Sequence, residues 1–262
     1  MPLRSATLIA TIVFATFVVT AAVRAGVVVH VADQSVPTGA QSPREVYYAQ
    51  DGLLRIDKLD DEGHVAEITL IRDGALWQID VPKRTYRKLD KAAMQVRKGA
   101  MNDKMQAMLA QMPPERRALL EQRMKSMQQP ADLTWSDVGR SETSGSYSCH
   151  VWELRRNDKP TQEYCVTPAA SLPGGDELAT SLRQAGAVAT EVFSGTGASQ
   201  AVAQRLAVFT KMNGFPVVTR DMAGGKASHE RRVTSVEHTP LAADKFAIPA
   251  GFTTAPDTAA AQ

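Results

Sequence analysis

The chain of 262 residues carries 30 lysines and arginines against 28 aspartates and glutamates, and 44% of its residues are hydrophobic. This balance lacks the uniform basicity of a protein that tracks a nucleic-acid backbone, so nucleic acid is not an expected partner. The length suits one large domain that buries a substantial core.

Residues 1–25 have the layout of a secretory signal peptide. Met1 to Arg4 form a short basic start, and a long apolar run leads to Val23 and Ala25 at the −3 and −1 positions of a cleavage site. Cleavage after Ala25 predicts a periplasmic protein with equal numbers of basic and acidic residues. An uncleaved membrane anchor is the alternative, because the run approaches the length that spans a bilayer.

Residues 26–90 are typical of an antiparallel meander. Three acid–glycine turns, at residues 51–52, 62–63 and 73–74, fall 11 residues apart, which is the rhythm of short strands joined by tight turns. Apolar and polar residues alternate between the turns, and this predicts one apolar and one solvated sheet face. The expected apolar set is Leu54, Ile56, Ile68 and Leu70, against Arg55, Asp57, Glu67 and Thr69.

Between residues 90 and 129 the hydrophobic period becomes helical, and the proline pair at 113–114 divides this insert into two helices. Seven of the ten methionines lie between positions 94 and 127. At about 100° per residue, the methionines of the first helix fall within roughly 60° of arc on one face. They are Met101, Met105, Met108 and Met112, and a second stripe follows at Leu120, Met124 and Met127.

Three interpretations of these stripes remain open. Methionine fills irregular space, so the helices could be a hairpin packed on the sheet with methionine as core filler. They could instead form a lid that adapts to a variable apolar ligand. Soft-metal binding, with Cu(I) held by thioethers, is the third interpretation, although a helical seam does not gather ligands around one ion.

Cys149 and Cys165 flank a predicted hairpin whose turn lies at residues 157–160. Pairing around Asn157 would place the two cysteines directly opposite each other, and a disulfide is the expected state in an exported protein. A metal site built from Cys149, His150 and Cys165 is the alternative, but adjacent Cys and His lack the usual ligand spacing.

The remaining segments continue the same pattern. A strand is expected from residue 133, two helices over 176–212, a hairpin across the glycine pair at 224–225, and a disordered tail over 253–262.

The sequence contains few residues in catalytic patterns. There is no nucleophile elbow and no His-Glu-x-x-His, and the five histidines are scattered without ligand spacing. We therefore expect no catalysis, no cofactor and no metal.

The segment 83–125 holds twelve lysines and arginines but only four acids. Basic amphipathic helices are attracted to anionic headgroups, so this segment is a candidate for contact with an anionic membrane surface. Ordinary solvated helix faces that balance the acidic meander are the competing interpretation.

Several stretches resemble one family. These are "YYAQDGLLRID", "LWQIDVPKRTYRKLD", "QMPPERRALLEQRM", the cysteine hairpin and the closing "VEHTPLAADKFAIPAGF". Together they are similar to the exported bacterial DUF4412 domain, and through it to the LolA/LolB-like lipoprotein-carrier group. The resemblance implies an α+β fold, in which a curved antiparallel half-barrel has helices covering its concave face and room there for acyl chains.

We therefore expect a single domain over residues 26–252 with a Met-rich helical insert at 90–129. Its expected function is to bind or carry a hydrophobic or lipid-like ligand between the sheet and a Met-rich lid. A copper-binding protein and an envelope-stress interaction module are the alternatives. The expected ligand contacts are the two methionine stripes, Met101, Met105, Met108, Met112, Leu120, Met124 and Met127, together with Trp77.

Overall fold

A computed structural model of the protein describes residues 25–34, 39–128, 133–194, 209, 212 and 214–256, with the backbone alone at 121 and 123–128. The predicted signal peptide lies outside the described residues, apart from Ala25. In the described part, twelve strands form one curved, open sheet with three α-helices. The expected α+β class with a curved antiparallel sheet is therefore confirmed.

The helices are α1 (Lys91–Ala110), α2 (Pro114–Gln128) and α3 (Gly175–Val192). The strands are β1 (Ala25–Gln34), β2 (Gln41–Gln50), β3 (Leu53–Leu59), β4 (Val65–Arg72), β5 (Ala75–Asp80), β6 (Thr85–Leu89), β7 (Leu133–Ser144), β8 (Tyr147–Arg156), β9 (Lys159–Pro168), β10 (Gly214–Ala223), β11 (Lys226–Pro240) and β12 (Thr253–Thr254).

The strand order is β12-β6-β5-β4-β3-β2-β1-β11-β10-β9-β8-β7. Every pairing is antiparallel except that of β12 with β6, which is parallel. Strand β1 lies between β2 and β11, so the first and last long strands meet in the middle of the sheet. β12 and β7 form the two edges, and the sheet is therefore not closed into a barrel.

The predicted acid–glycine turns join consecutive strands of the meander. Asp51 and Gly52 have φ of 51° and 79°, and Asp73 and Gly74 have φ of 53° and 68°. Each pair is a two-residue hairpin turn that needs positive φ at both positions, which aspartate and glycine tolerate. The regular spacing of these turns thus defines where the strands in the first half of the sheet begin and end, as predicted.

Helix α3 covers one face of the sheet, which we call the inner face. Its apolar stripe packs into the main core on strands from both halves of the molecule. The stripe consists of Leu178, Leu182, Ala185 and Val192, and the strand residues beneath it include Val27, Val29, Ala49 and Leu54. Because α3 contacts β1 to β5, it fixes the curvature of that half of the sheet.

The opposite face, which we call the outer face, is also buried in part. This corrects the expectation that one face of the sheet is apolar and the other solvated. Arg55 pairs with Leu70 and Asp57 with Ile68, so Ile68 and Leu70 point away from Leu54 and Ile56. Leu70 packs there with Phe246 of the closing segment and with Trp77. The prediction of one solvated face was wrong because the C-terminal residues after β11 return to cover it.

The Met-rich helical pair forms as predicted, with the break at the two prolines. Asp90 caps α1 by accepting a hydrogen bond from the Ala93 amide at 2.9 Å, and Arg117 Nε donates to the Leu109 carbonyl at 2.9 Å. The arginine satisfies a carbonyl at the end of α1 and so fixes the angle at which α2 leaves it. No described helix is long and apolar enough to cross a bilayer.

The expected position of the methionines, facing the sheet, is wrong for the first helix. Met94 reaches the main core, but Met101 is 63% exposed and Met108 46% exposed. Met105, Met112 and Leu120 are half-buried, and the side chains of Met124 and Met127 lie outside the described residues. Helix α1 follows β6, the neighbour of the edge strand β12, and contacts α3, so its solvent side carries much of the stripe.

The disulfide between Cys149 and Cys165 is present, with 5.2 Å between the Cα atoms. The predicted register was wrong by two residues, because Cys165 lies opposite Val151. Two features cause this shift. Asn157 and Asp158 both have positive φ and form a two-residue turn, and the register shifts again after Leu154. The cysteines are diagonal neighbours on the same face, within reach of a disulfide.

The structure confirms some of the elements predicted for the C-terminal third of the chain. The hairpin across the glycine pair joins β10 to β11, and α3 forms the first helix of 176–212. Residues 195–208, which carry most of the second helix, lie outside the described part. Thr253 donates its amide to the Arg84 carbonyl at 3.1 Å. The predicted disordered tail therefore starts in the sheet, and 257–262 are outside the described residues.

Candidate functional site: a cavity on the inner face

A cavity of about 650 Å³ opens on the inner face, beside the region that α3 covers. Its lining comes from strands β1, β2, β3, β9, β10 and β11 and from Phe209. This volume lies within the usual range for small-molecule sites. The cavity is therefore large enough for a ligand of the size of a short-chain amphiphile.

The sheet register explains why distant residues meet here. Asp33 lies opposite Arg231, Arg231 opposite Thr219, and Thr219 opposite Tyr164, so one row crosses β1, β11, β10 and β9. Directly paired residues point to the same face of a sheet. In a neighbouring row Val31 pairs with Val233, and both side chains belong to the main core.

Apolar and aromatic side chains form one end of the cavity. The rings of Tyr47 and Phe215 meet edge to face with centroids 6.1 Å apart, and Phe209 lies 5.9 Å from Phe215. Phe215 is only 4% exposed and belongs to the main core, as do Val31 and Val233. The half-buried rings of Tyr47 and Phe209 cover this buried layer and give the cavity an apolar surface that a ligand can reach.

Hydrogen-bonded polar groups form the other end. Tyr164 Oη donates to Gln162 Oε1 at 2.6 Å, and Gln162 Nε2 donates to Asp221 Oδ1 at 2.7 Å. On the facing strand, Asp33 lies 3.2 Å from His229 Nε2 and 3.4 Å from Arg44 Nε. The polar wall is held in place before any ligand arrives.

Tyr47 joins the two ends. Its hydroxyl donates to Glu45 Oε2 at 2.7 Å. Burial is the main cause that raises the pKa of the Tyr47 phenol, and the negative charge of Glu45 and this hydrogen bond raise it further, while Arg231 acts in the opposite direction. Tyr47 therefore stays a neutral hydrogen-bond donor at physiological pH.

A second cavity, of about 570 Å³, lies at the sheet edge between β4, β5 and β6 and the C-terminal residues Ala255 and Pro256. Two of its charged groups already have partners: Lys83 Nζ is 2.7 Å from Asp80, and Glu67 is 3.4 Å from Lys58.

One hydrogen-bonded line combines residue types of a catalytic triad. His150 Nε2 is 2.7 Å from Asp137 Oδ1, and Ser141 Oγ is 3.3 Å from His150 Nδ1. All three residues lie at the exposed edge of β7 and β8, and none of them lines either cavity. A serine nucleophile works best in an enclosed site with oxyanion donors, whereas this line is open to solvent.

A potential cation cluster, Asp60, Glu62 and His64, sits in the turn between β3 and β4 with all three residues exposed. Asp60 already accepts hydrogen bonds from the amides of Glu62 and His64 at 3.0 and 2.8 Å. The carboxylate thus organises the turn, which accounts for its position without an ion.

The structure does not bring the predicted ligand-binding residues to the cavity. None of the described methionines of the two stripes lines it. Trp77 lies on the outer face, 5.8 Å from the ring of Tyr86, so it points away from the cavity. The residues that do form the cavity were missed, because they are spread over six strands whose pairing the sequence does not reveal. The only local indication was the mixture of aromatic and charged residues in "REVYYAQ" and "SHERRV".

Comparisons with known proteins give little guidance. No family model matches the chain, and no curated protein matches it. Among solved structures, an uncharacterized conserved protein from Thermus thermophilus is similar at 10% sequence identity and a TM-score of 0.43, over 88% of this chain and 89% of that one.

Proposed function

We propose that the protein is a non-catalytic binding or carrier protein for a lipid-like, amphipathic molecule held in the inner-face cavity. The observation that carries this proposal is the joining of an aromatic end to a polar end within about 650 Å³. A ligand with an apolar chain and a polar head matches both ends, because burial of apolar surface supplies affinity and placed polar groups supply orientation.

The proposal keeps the carrier function implied by the LolA/LolB-like resemblance but moves the site from the Met-rich pair to the sheet. We also propose export to the periplasm, which the disulfide supports, because disulfides persist in oxidising compartments.

A neutral fluorescent probe, N-phenyl-1-naphthylamine, tests the site. We expect saturable binding by the wild-type protein and a loss of about tenfold in affinity in Thr219→Trp, whose indole would fill the middle of the cavity. Thr134→Trp, which places the same side chain on an exposed position of β7, is the matched control. Met105→Glu should also leave binding unchanged. Equal affinities in the two tryptophan variants, or no saturable binding at all, would refute the proposal.

Exposed apolar side chains on the Met-rich pair favour a second, separate role. Val96 is 73% exposed, Leu119 69% and Met101 63%, in a segment where lysines and arginines outnumber acids three to one. Large exposed apolar side chains with a basic surround match an anionic lipid surface. We infer that α1 and α2 contact such a surface.

A further inference from the structure

The charged groups of the inner-face cavity differ in whether the protein already satisfies them. Among the acids, Glu45 accepts from Tyr47 at 2.7 Å and Asp221 accepts from Gln162 at 2.7 Å. Asp33 has both His229 and Arg44 as neighbours. All three carboxylates therefore have donors from the protein itself.

The cations are not equally satisfied. Arg44 pairs with Asp33 and Lys58 with Glu67, both at 3.4 Å. The side chain of Arg231 has no hydrogen-bond or ion-pair partner among the residues that the structure describes, although Asp33 is its cross-strand neighbour. Asp33 turns instead towards Arg44 and His229, so within the described residues it does not pair with the Arg231 guanidinium.

Arg231 lies where a head group would have to sit. It is partly buried on the inner face, between Thr219 on one side and Asp33 on the other. Val233 follows two residues later on the same face and opens the apolar end with Val31. A molecule with its acid group at Arg231 would therefore extend its chain over these valines towards Phe215.

We infer that the ligand is an amphiphile whose head group carries a single negative charge and that Arg231 binds this group. This inference rests on the proposed function. A guanidinium presents paired N–H donors that match the two oxygens of a carboxylate or a phosphodiester. Glu45 and Asp221 also line the cavity, and their charges disfavour a doubly charged head group.

Calorimetric titration of the full-length protein with decanoate, methyl decyl phosphate and decanol at neutral pH tests this inference. The three probes share one chain and differ in the head group, so the two acids distinguish a fatty acid from a phospholipid-like source. We expect at least one of the acids to bind more tightly than decanol. Arg231→Gln should lower the affinity for that acid by about tenfold or more and leave the affinity for decanol unchanged.

Lys58→Gln removes one positive charge from the same cavity at a residue that already has Glu67 as its partner, and it is the matched control. We expect its effect on acid binding to stay within about threefold, as for an exposed ion pair. Unchanged decanol affinity in Arg231→Gln shows that the cavity is still folded. Equal affinity for acids and decanol, or equal loss in the two variants, overturns the inference while the cavity remains a binding site. Failure of all three probes to bind overturns the proposed function as well.

Discussion

Arg55 and Asp57 lie two residues apart on β3 and form a two-pronged ion pair on the outer face. Arg55 Nε is 2.6 Å from Asp57 Oδ1, and Nη2 is 3.0 Å from Oδ2. Asp57 is only 2% exposed, and an aspartate at such depth needs a partner of this kind. Arg55 Nη1 donates to the Lys245 carbonyl at 2.9 Å, so the pair links the closing segment to the sheet.

Replacing Asp57 by alanine should lower the free energy of unfolding by about 3 kcal/mol, because it leaves the arginine unpaired beneath the closing segment. Equilibrium denaturation in urea measures this change. Lys58→Ala breaks an exposed pair on the same strand and should cost less than about 1 kcal/mol. Similar losses in both variants would show that Asp57 is not buried as described.

Removal of the disulfide should also destabilise the protein. The bond between Cys149 and Cys165 closes a loop with a sequence separation of 16 residues, for which the chain-entropy contribution is about 3 kcal/mol. We expect the wild-type protein to lose about this much stability in dithiothreitol. The Cys149→Ser/Cys165→Ser variant should start from the lower value and not respond to the reductant. A wild-type protein that is equally stable with and without reductant would contradict the prediction.

Four strands share one network of charges on the face of the sheet opposite the cavity. Arg220 on β10 contacts Glu142 on β7 at 2.7 Å, Glu163 on β9 at 3.3 Å and Glu230 on β11 at 2.7 Å. The hydrogen bond from Arg220 is the main cause that lowers the pKa of the Glu142 carboxyl, although burial acts against it. The network therefore stabilises the folded state most when Glu142 is ionised.

The sign of the pH dependence follows from this. A carboxyl whose pKa is lower in the folded protein than in the unfolded chain contributes stability above the unfolded pKa, about 4.3 for glutamate, and this contribution is lost as the pH falls through the folded value. Glu142→Gln should therefore flatten the fall in unfolding free energy between about pH 6 and pH 3. Glu62→Gln, at an exposed turn position, should leave that fall unchanged. Parallel profiles for the wild type and Glu142→Gln would refute the assignment.

Local structure could be predicted where local chemistry decides it. Residue pairs such as Asp51-Gly52 tolerate positive φ, and the proline at 114 begins a helix, so the turns and the helical pair appear where the sequence placed them. The disulfide partners were also predictable, because the chain has only two cysteines.

Long-range pairing could not be predicted in the same way. The insertion of β1 between β2 and β11 joins residues about 200 positions apart, and no local pattern encodes it. Leu70 and Leu54 look equivalent in an alternating strand pattern, yet they face opposite sides because the turn at 60–64 sets the register. The cavity depends on these pairings, and so Arg231 and Tyr47 were overlooked as site residues.

The exposed methionines of α1 lead to a prediction about membrane contact. If Met101 and Met108 insert between lipids, the protein should float with vesicles that contain phosphatidylglycerol, and less so with neutral phosphatidylcholine or at high salt. Met101→Glu/Met108→Glu should reduce the vesicle-bound fraction about tenfold, because each glutamate places a charge in the apolar contact and repels the anionic headgroups.

Asn102→Glu/Gln106→Glu is the matched control for this experiment. Both positions are exposed on α1, and they lie roughly 100° or more around the helix from the two methionines. The control adds the same charge to the same helix, so it isolates the apolar contact from electrostatic repulsion. If the two double variants lose vesicle binding equally, charge alone holds α1 at the membrane and the methionines do not insert. If neither loses binding, the Met-rich pair is not the surface that meets the lipid.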